Sequence, residues 1–300
     1  MPISGTPDRD TVLRLADGRA IGVAEWGPVD GRPVFELHGN PGSRLLAPDP
    51  AITRARGVRL VAPERPGYGV SDPTPGHTVV DVANDVVGVA DELGLGRIRI
   101  VGISGGCPYA MAIAARYPER VDRLAIQGAD SPPDENPEAW TAYSERGREL
   151  IAAARTDRAA ARPAFLERFA EYARDPQSEL RFVDDLIART PLDELPLDAR
   201  NMADPHHRAV FGASFAEGAR QGAVGLADDV IAMVLPWGFS TTEITVPTTI
   251  WWGEHDGLVP RFHSEYLAGS IPNARLRILP DAAHGLAETH WDAVLEDLLG

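Results

Sequence analysis

A short glycine-rich turn places one serine where it could act as a nucleophile. Residues 102–106 have the sequence Gly-Ile-Ser-Gly-Gly, directly after the strand-like run 97–101 and before the helix-favouring stretch 108–117. A strand, a tight turn and a helix in this order expose the serine at the bend, and the glycines permit close packing around it. Free N–H groups and the helix dipole at the start of the following helix can stabilise a developing oxyanion. The sequence therefore favours nucleophilic chemistry at Ser104 over a glycine-rich turn with an idle serine.

Two later loops carry an acid and a histidine that could activate this serine. Asp256 lies in a polar turn after the strand-like run 248–252, and His284 lies in a loop after the run 275–279. A serine hydroxyl is a weak nucleophile until a base removes its proton and a third group orients that base. Open α/β sheets place such groups just beyond the carboxyl ends of their strands, and the chain order serine, acid, histidine is the expected one. We therefore predict a catalytic triad of Ser104, Asp256 and His284.

Several other acids and histidines compete for these roles. Asp130 is the main rival to Asp256 because it follows the strand after the serine turn. Glu254 and Asp281 also lie near the candidate residues but rank below Asp256 as the acid. The histidines ranked below His284 are His255, His290, His206 and His207. Adjacent histidines with no third ligand nearby are usually solvated, so no metal site is predicted.

The loop after the predicted third strand offers a second donor to an oxyanion. Residues 38–43 have the sequence His-Gly-Asn-Pro-Gly-Ser, in which a proline and two glycines hold the chain tightly. With this type of serine turn, the second donor comes from that loop. We therefore predict that the backbone N–H groups of Asn40 and Gly105 face one oxygen, while a tight turn without that role is the alternative. The neighbouring loop 64–72, Glu-Arg-Pro-Gly-Tyr-Gly-Val-Ser-Asp, is predicted to be scaffold.

The first 130 residues alternate between strand-like and helix-like segments. Asp17-Gly18, between two strand-like runs, is typical of a hairpin turn. Valines at helical spacing between Val79 and Val89 indicate a helix. Short apolar runs that suit strands buried on both faces of a parallel sheet lie at 33–38, 59–63, 98–103 and 124–127. This alternation predicts an α/β fold with a mostly parallel central sheet flanked by helices.

The pattern changes after Asp130. A proline-rich linker at 131–137 precedes a long helix-favouring segment, and sheet-like runs return only at 248–252. We therefore predict that residues 1–130 and 241–300 form an α/β core and that residues 131–240 form a helical insertion. Two helical faces in it are expected to pack: one of Phe165, Leu166, Phe169 and Tyr172, and one of Leu180, Phe182, Val183 and Leu186.

The composition disfavours several other mechanisms. All 29 basic side chains are arginine, and 44 acidic side chains give a net charge of −15. The chain therefore lacks the lysine of phosphate-binding loops, Schiff-base enzymes and Ser-x-x-Lys hydrolases, and its charge opposes binding to nucleic acid. The single cysteine, Cys107, permits no internal disulfide and is expected to be packed and inert. With no long apolar run and no signal-peptide pattern, the protein is expected to be cytoplasmic and free of membrane.

Five motifs together carry a family resemblance. They are His-Gly-Asn-Pro-Gly, Arg-Pro-Gly-Tyr-Gly-Val-Ser-Asp, Gly-Ile-Ser-Gly-Gly, Gly-Glu-His-Asp-Gly-Leu-Val-Pro and the late Ala-His-Gly. In this order the chain resembles the α/β-hydrolase superfamily, nearest to bacterial hydrolases of the esterase, lactonase and epoxide-hydrolase-like group that bear a cap. The resemblance implies the α/β-hydrolase fold, with the helical insertion as a cap, or lid, after the sixth strand.

The resemblance also implies roles for the candidate residues. Ser104 would be the nucleophile, His284 the general base and acid, and Asp256 its orienting carboxylate, with Asn40 and Gly105 as the oxyanion hole. Two departures narrow the chemistry. Haloalkane dehalogenases and epoxide hydrolases use an aspartate where this chain has serine, and proline iminopeptidases favour His-Gly-Gly-Pro-Gly where this chain has asparagine.

The residues and the resemblance predict a cofactor-free serine hydrolase that cleaves carboxylic esters or lactones through an acyl-enzyme. Its partner would be a small-molecule substrate, and neither the natural substrate nor an oligomeric state is indicated. Two alternatives stay open because one fold hosts many functions. The first is a non-hydrolytic enzyme on the same triad, such as an acyltransferase, a lyase or a cofactor-free oxygenase. The second is a ligand-binding protein with a vestigial triad.

Overall fold

The hairpin at Asp17-Gly18 opens the central sheet. A computed structural model describes residues 6–300, apart from the side chains of Glu179 and Glu288. In it, β1 (Arg9–Arg14) pairs antiparallel with β2 (Ala20–Trp26). Gly18 has a φ of +89°, which glycine adopts without steric penalty, so the hairpin forms where the sequence predicts it.

Eight strands form one sheet in the order β1-β2-β4-β3-β5-β6-β7-β8. The remaining strands are β3 (Arg32–Leu37), β4 (Val58–Pro63), β5 (Ile98–Ile103), β6 (Val121–Gln127), β7 (Thr248–Gly253) and β8 (Ala274–Leu279). Strand β2 is antiparallel to β4, and every pair from β4 to β8 is parallel. The mostly parallel sheet predicted from the sequence is confirmed, and the loops that follow β3, β5, β7 and β8 meet at one edge.

Helices cover both faces of the sheet. Those before β6 are α1 (Pro50–Ala55), α2 (Val79–Glu92) and α3 (Cys107–Arg116). Between β6 and β7 lie α4 (Glu145–Thr156), α5 (Arg158–Arg168), α6 (Ala170–Arg174), α7 (Ser178–Arg189), α8 (Leu197–Asn201), α9 (Pro205–Gly218) and α10 (Val224–Val234). The last two are α11 (Arg261–Ser270) and α12 (Leu286–Leu299). None of the helices within residues 6–300 is long and apolar enough to cross a membrane.

Two apolar layers hold the sheet between its helices. Helices α2, α3 and α11 pack on one face, and α1 and α12 pack on the other. Helix α2 begins at a capping box, in which the side chain of Thr78 accepts the N–H of Asp81 and the Asp81 carboxylate accepts the N–H of Thr78. Its buried face carries valines at helical spacing, as predicted, and each buried side chain of this size contributes about 1.5–3 kcal/mol.

Residues 131–240, the segment predicted to form the helical insertion, contain α4 to α10, which lie between the sixth and seventh strands. The fine structure of this segment corrects two expectations. The predicted face of Phe165, Leu166, Phe169 and Tyr172 does not lie on one helix, because Phe169 (φ −100°, ψ 8°) separates α5 from α6. Phe165, Leu166 and Phe169 nevertheless pack in one apolar cluster, as expected. Phe182 was expected to pack with Leu180, yet Phe182 is 63% exposed while Leu180 is buried. Helix α7 therefore buries a narrower apolar stripe than its sequence pattern suggests.

Candidate active site

Ser104 occupies a sharp bend between β5 and α3. Its φ of +50° lies in the left-handed region, which residues other than glycine seldom adopt. The glycines on either side allow the bend. A Cβ at Gly102 would lie 2.8 Å from the Cα of Cys107, and a Cβ at Gly106 would collide with the carbonyl oxygen of Leu37. The strand-turn-helix predicted around Ser104 is therefore present.

Asp256 and His284 are paired by a hydrogen bond. The Asp256 Oδ2 lies 2.9 Å from the His284 Nδ1, and its Oδ1 accepts the N–H groups of Leu258 at 2.8 Å and Val259 at 2.9 Å. Burial alone would raise the pKa of Asp256, but the hydrogen bond and charge of His284 and the two N–H groups outweigh it and lower that pKa. Since an ionised carboxylate only accepts, the neutral imidazole carries its proton on Nδ1, and Nε2 is its basic nitrogen.

Ser104 and His284 line one cavity of about 290 Å³. It lies at the edge of the sheet where the serine turn after β5 meets the loop after β8. The other described residues that line it include Gly39, Asn40, Pro41, Leu46, Ile103, Phe211, Phe215, Leu258, Val259 and Gly285. Phe211 and Phe215 come from α9 of the helical insertion. The wall is therefore mainly apolar, with the serine, the histidine and an asparagine as its polar side chains among those described.

Asn40 lies against the serine turn. A Cβ built on Gly105 would lie 2.5 Å from the Asn40 Cγ, so the two residues predicted to supply the oxyanion hole are adjacent. The side chain of Asn40 is fixed by three neighbours. Its Oδ1 accepts the hydroxyl of Tyr68 at 3.2 Å and a guanidinium N–H of Arg65, and its Nδ2 faces the Met233 sulfur at 3.3 Å.

A buried arginine binds three consecutive residues of loop 38–43, the candidate oxyanion loop. Arg65 donates to the carbonyl oxygens of His38 and Gly39 and to the side chain of Asn40. Its Nε donates at 2.6 Å to Asp229, which belongs to α10 of the helical insertion. Loop 64–72 is thus a scaffold, as predicted, but one that reaches the candidate site directly.

Asp229 has two further partners besides Arg65. It accepts the hydroxyl of Tyr109 at 2.8 Å and pairs with the Nε2 of His77 at 3.2 Å. Burial would raise the pKa of Asp229, but the charge of Arg65 and the hydrogen bond of His77 hold it well below its ordinary value. Sequence reasoning missed this network. The signal was Asp228-Asp229 inside an otherwise apolar helix, since a charged side chain in such a place needs a buried partner.

The rival acid, Asp130, is directed elsewhere. Its carboxylate lies 3.6 Å from the Nε2 of His263, whereas Asp256 makes the hydrogen bond to His284. Burial raises the pKa of Asp130, against the opposing charges of His263 and His284. His263 also accepts the hydroxyl of the buried Ser131 at 2.8 Å, so the chain contains a second serine–histidine pair outside the cavity.

The other singled-out residues lie apart from the cavity. The Nε2 of His290 is 3.4 Å from Asp281, and the rings of His206 and His207 are 6.0 Å apart at the start of α9. Within the described part of the chain, no three His, Cys, Asp or Glu side chains are grouped as a metal site would need. Cys107 is buried, as expected, and burial raises the pKa of its thiol well above the ordinary value.

Comparison with known proteins identifies the family. Residues 32–290 match the alpha/beta hydrolase fold family, a range that includes β3 to β8 and residues 131–240. The chain belongs to this family. The α/β-hydrolase fold predicted from the five motifs is therefore confirmed.

Individual α/β hydrolases resemble the chain at low identity. It is 28% identical over 251 residues to the 2-hydroxy-6-oxononadienedioate/2-hydroxy-6-oxononatrienedioate hydrolase of Cupriavidus pinatubonensis, covering 82% of this chain and 78% of that protein. It is 27% identical over 299 residues to the non-heme chloroperoxidase of Streptomyces lividans, covering 96% and 97%. The esterase of Exiguobacterium antarcticum has a similar fold, with a TM-score of 0.64, 21% identity, and coverage of 97% of this chain and 98% of that one. The fold and a hydrolase-type family are thus shared, while the named activities differ.

Proposed function

We propose that this α/β hydrolase is a cofactor-free serine hydrolase that cleaves carboxylic esters or lactones. One observation carries the proposal: Ser104 at its positive-φ bend and His284, hydrogen-bonded to Asp256, line the same apolar cavity. A nucleophile, a base within its cavity and an acid that orients the base are the three parts that acyl transfer requires.

In this mechanism, the Ser104 hydroxyl attacks the acyl carbon while the His284 Nε2 takes its proton. Asp256 stabilises the imidazolium that forms, and the N–H groups of Asn40 and Gly105 bind the oxyanion. The imidazolium then protonates the leaving alcohol, which yields an ester between the acyl group and Ser104. His284 next removes a proton from water, whose oxygen attacks that ester. The imidazolium then returns this proton to the Ser104 Oγ as the bond between the acyl group and the serine breaks, which releases the acid and restores the enzyme. Every proton is thus transferred through one imidazole.

The cavity supports a substrate that is small, uncharged and moderately apolar. The part of its wall that the structure describes contains no arginine, and its side chains are mainly aliphatic or phenyl. The named substrate of the Cupriavidus relative is a dicarboxylate, whose charges would need cationic partners in a buried site. An uncharged ester or lactone needs no cationic partner. In this proposal residues 131–240 act as the cap over a core of residues 1–130 and 241–300.

Labelling with a fluorophosphonate tests the nucleophile. We expect the reagent to attach to Ser104, and Ser104→Ala to abolish both labelling and hydrolysis of nitrophenyl esters, with a loss of about 10⁴-fold or more in kcat. Ser131→Ala is the matched control, because Ser131 forms the other serine–histidine pair but is buried outside the cavity. Labelling that persists in folded Ser104→Ala would refute the proposal.

A panel of esters and lactones separates the alternatives. Robust hydrolysis that is lost in Ser104→Ala supports the hydrolase. Turnover only with an alcohol acceptor, or without release of an acid, would instead indicate a non-hydrolytic enzyme on the same residues. Tight binding of a small molecule with negligible turnover would indicate a binding protein with a vestigial triad.

A further inference from the structure

A side chain of the helical insertion binds the backbone of the candidate base. Asp198, on α8, accepts the N–H of His284 at its Oδ2, with a distance of 3.2 Å. Its Oδ1 accepts the N–H of the next residue, Gly285, at 3.0 Å. One carboxylate therefore holds two consecutive N–H groups, at the point where the base joins the last helix.

The sequence of this loop explains why a partner from elsewhere is needed. His284 and Gly285 come directly before Leu286, the first residue of α12, so no carbonyl oxygen of that helix can accept their N–H groups. Arg200, two residues after Asp198, does not draw the carboxylate away, since its guanidinium donates to the carbonyl oxygens of Asp193 and Leu195. The Asp198 carboxylate is thus directed at the His284 loop.

His284 is consequently held at two points by two different parts of the chain. Asp256, in the loop after β7, orients the imidazole through Nδ1. Asp198, in the helical insertion, fixes the backbone from which that imidazole projects. Movement of α8 away from the sheet would break the second of these attachments.

We propose that Asp198 is a positioning residue for His284, which makes the geometry of the base depend on the docking of α8. The inference rests on the proposed function only in naming His284 as the base. Asp198 does not line the cavity among the described residues, so its removal changes the position of the base and leaves substrate contacts in place.

A purely structural role for Asp198 predicts a different result. If the carboxylate only capped α12, its loss would lower the melting temperature while the turnover of each folded molecule stayed the same. If it positions the base, kcat falls and KM does not, because a misplaced catalytic group affects the chemical step.

Steady-state kinetics of three variants tests this difference. For Asp198→Ala we expect kcat to fall about tenfold with KM within about twofold of wild type, since small displacements of a catalytic group have large effects on rate. Asp198→Asn keeps one oxygen that can accept an N–H, so its kcat should lie between those of Asp198→Ala and wild type. Asp193→Ala, at an exposed aspartate of the same segment, is the control and should match wild type. An unchanged kcat in folded Asp198→Ala, or a rise in KM alone, would overturn the proposal.

A proton NMR measurement keeps the test independent of ester turnover. The proton on His284 Nδ1, hydrogen-bonded to Asp256, should give a strongly deshielded resonance that disappears in His284→Gln. We expect this resonance to shift or broaden in Asp198→Ala and to stay in place in Asp193→Ala. If Ser104 is not labelled and esters are not cleaved, the proposed function fails while this result still decides the role of Asp198. A resonance unmoved in Asp198→Ala would refute that role even in an active hydrolase.

Discussion

The two sides of the cavity are held in different ways. On the oxyanion side, the Arg65 and Asp229 side chains are 1% and 0% exposed, and Arg65 reaches the backbone and side chain of the oxyanion loop. On the base side, the His284 side chain is 15% exposed, its partner Asp256 is 1% exposed, and Asp198 binds the backbone of His284. The first side is thus held by an ion pair that is buried at both ends, and the second by hydrogen bonds to a histidine that is partly exposed.

Because of this difference, substitutions on the two sides of the cavity should affect different properties of the protein. Removing one partner of a buried ion pair leaves an uncompensated charge in a medium of low dielectric, which destabilises the folded state strongly. Changing a partner of the partly exposed His284 alters the orientation of the imidazole with a smaller effect on folding, because water can reach the imidazole. We therefore expect substitutions on the oxyanion side to act first on the free energy of unfolding, and those on the base side to act first on kcat.

The largest effect is expected on the base side, in Asp256→Asn. An amide can donate to Nδ1, which favours the imidazole tautomer that cannot accept the proton of Ser104, so kcat/KM should fall about 10⁴-fold, or about 5 kcal/mol of transition-state stabilisation. Hydrolysis of a nitrophenyl ester measures it. Asp130→Asn is the matched control and should stay within about threefold of wild type. A larger loss in Asp130→Asn than in Asp256→Asn would exchange their roles.

The next effect is expected on the oxyanion side, in Asp229→Asn. The guanidinium of Arg65 would keep its charge without its buried counterion, so the free energy of unfolding should fall by about 3–5 kcal/mol. Urea unfolding followed by circular dichroism measures the change. Asp228→Asn is the control on the next helical position, where the partner Arg162 is partly exposed and a loss of only about 1 kcal/mol is expected. Equal losses in the two variants would show that the burial of Arg65 does not raise the cost of removing its counterion.

Lowering the pH should weaken the ion pair of Arg65 and Asp229 in the wild-type protein. Because the pKa of Asp229 is lower in the folded protein than in the unfolded chain, its contribution is full above the unfolded value of about 3.9 and is lost as the pH falls towards the folded value. The stability advantage of wild type over Asp229→Asn should thus be constant near neutrality and shrink below about pH 4. Unfolding curves at several pH values follow this difference. A constant advantage down to pH 2 would contradict the assignment.

The smallest effect is expected in Met233→Leu. Leucine keeps the volume but removes the sulfur that faces Asn40, while Arg65 and Tyr68 still hold the Asn40 oxygen. We therefore expect kcat within about twofold of wild type and a stability loss below about 1.5 kcal/mol. Ester kinetics and thermal unfolding check both values. A large fall in kcat would show that the oxyanion loop depends on α10 at Met233 as well as at Asp229.

Local motifs made part of this molecule predictable. The strands, the serine turn and the loops that carry Asp256 and His284 each follow from short patterns of apolar residues, glycines and prolines. The two attachments from the helical insertion did not follow in this way. Arg65 and Asp229 are 164 positions apart, and Asp198 and His284 are 86 apart. Such residues come into contact only when the chain folds, so the spacing of residues within a short motif cannot predict these pairs.

The contacts that Asp198 and Asp229 make with His284 and Arg65 have a consequence for protein engineering. Exchanging residues 131–240 for the corresponding segment of another α/β hydrolase is an obvious way to change the range of substrates accepted. In this chain such a chimera would also discard Asp198 and Asp229, and with them the supports of the base and of the oxyanion loop. A graft that retains an acceptor at each of these two positions should therefore outperform one that copies the donor segment unchanged.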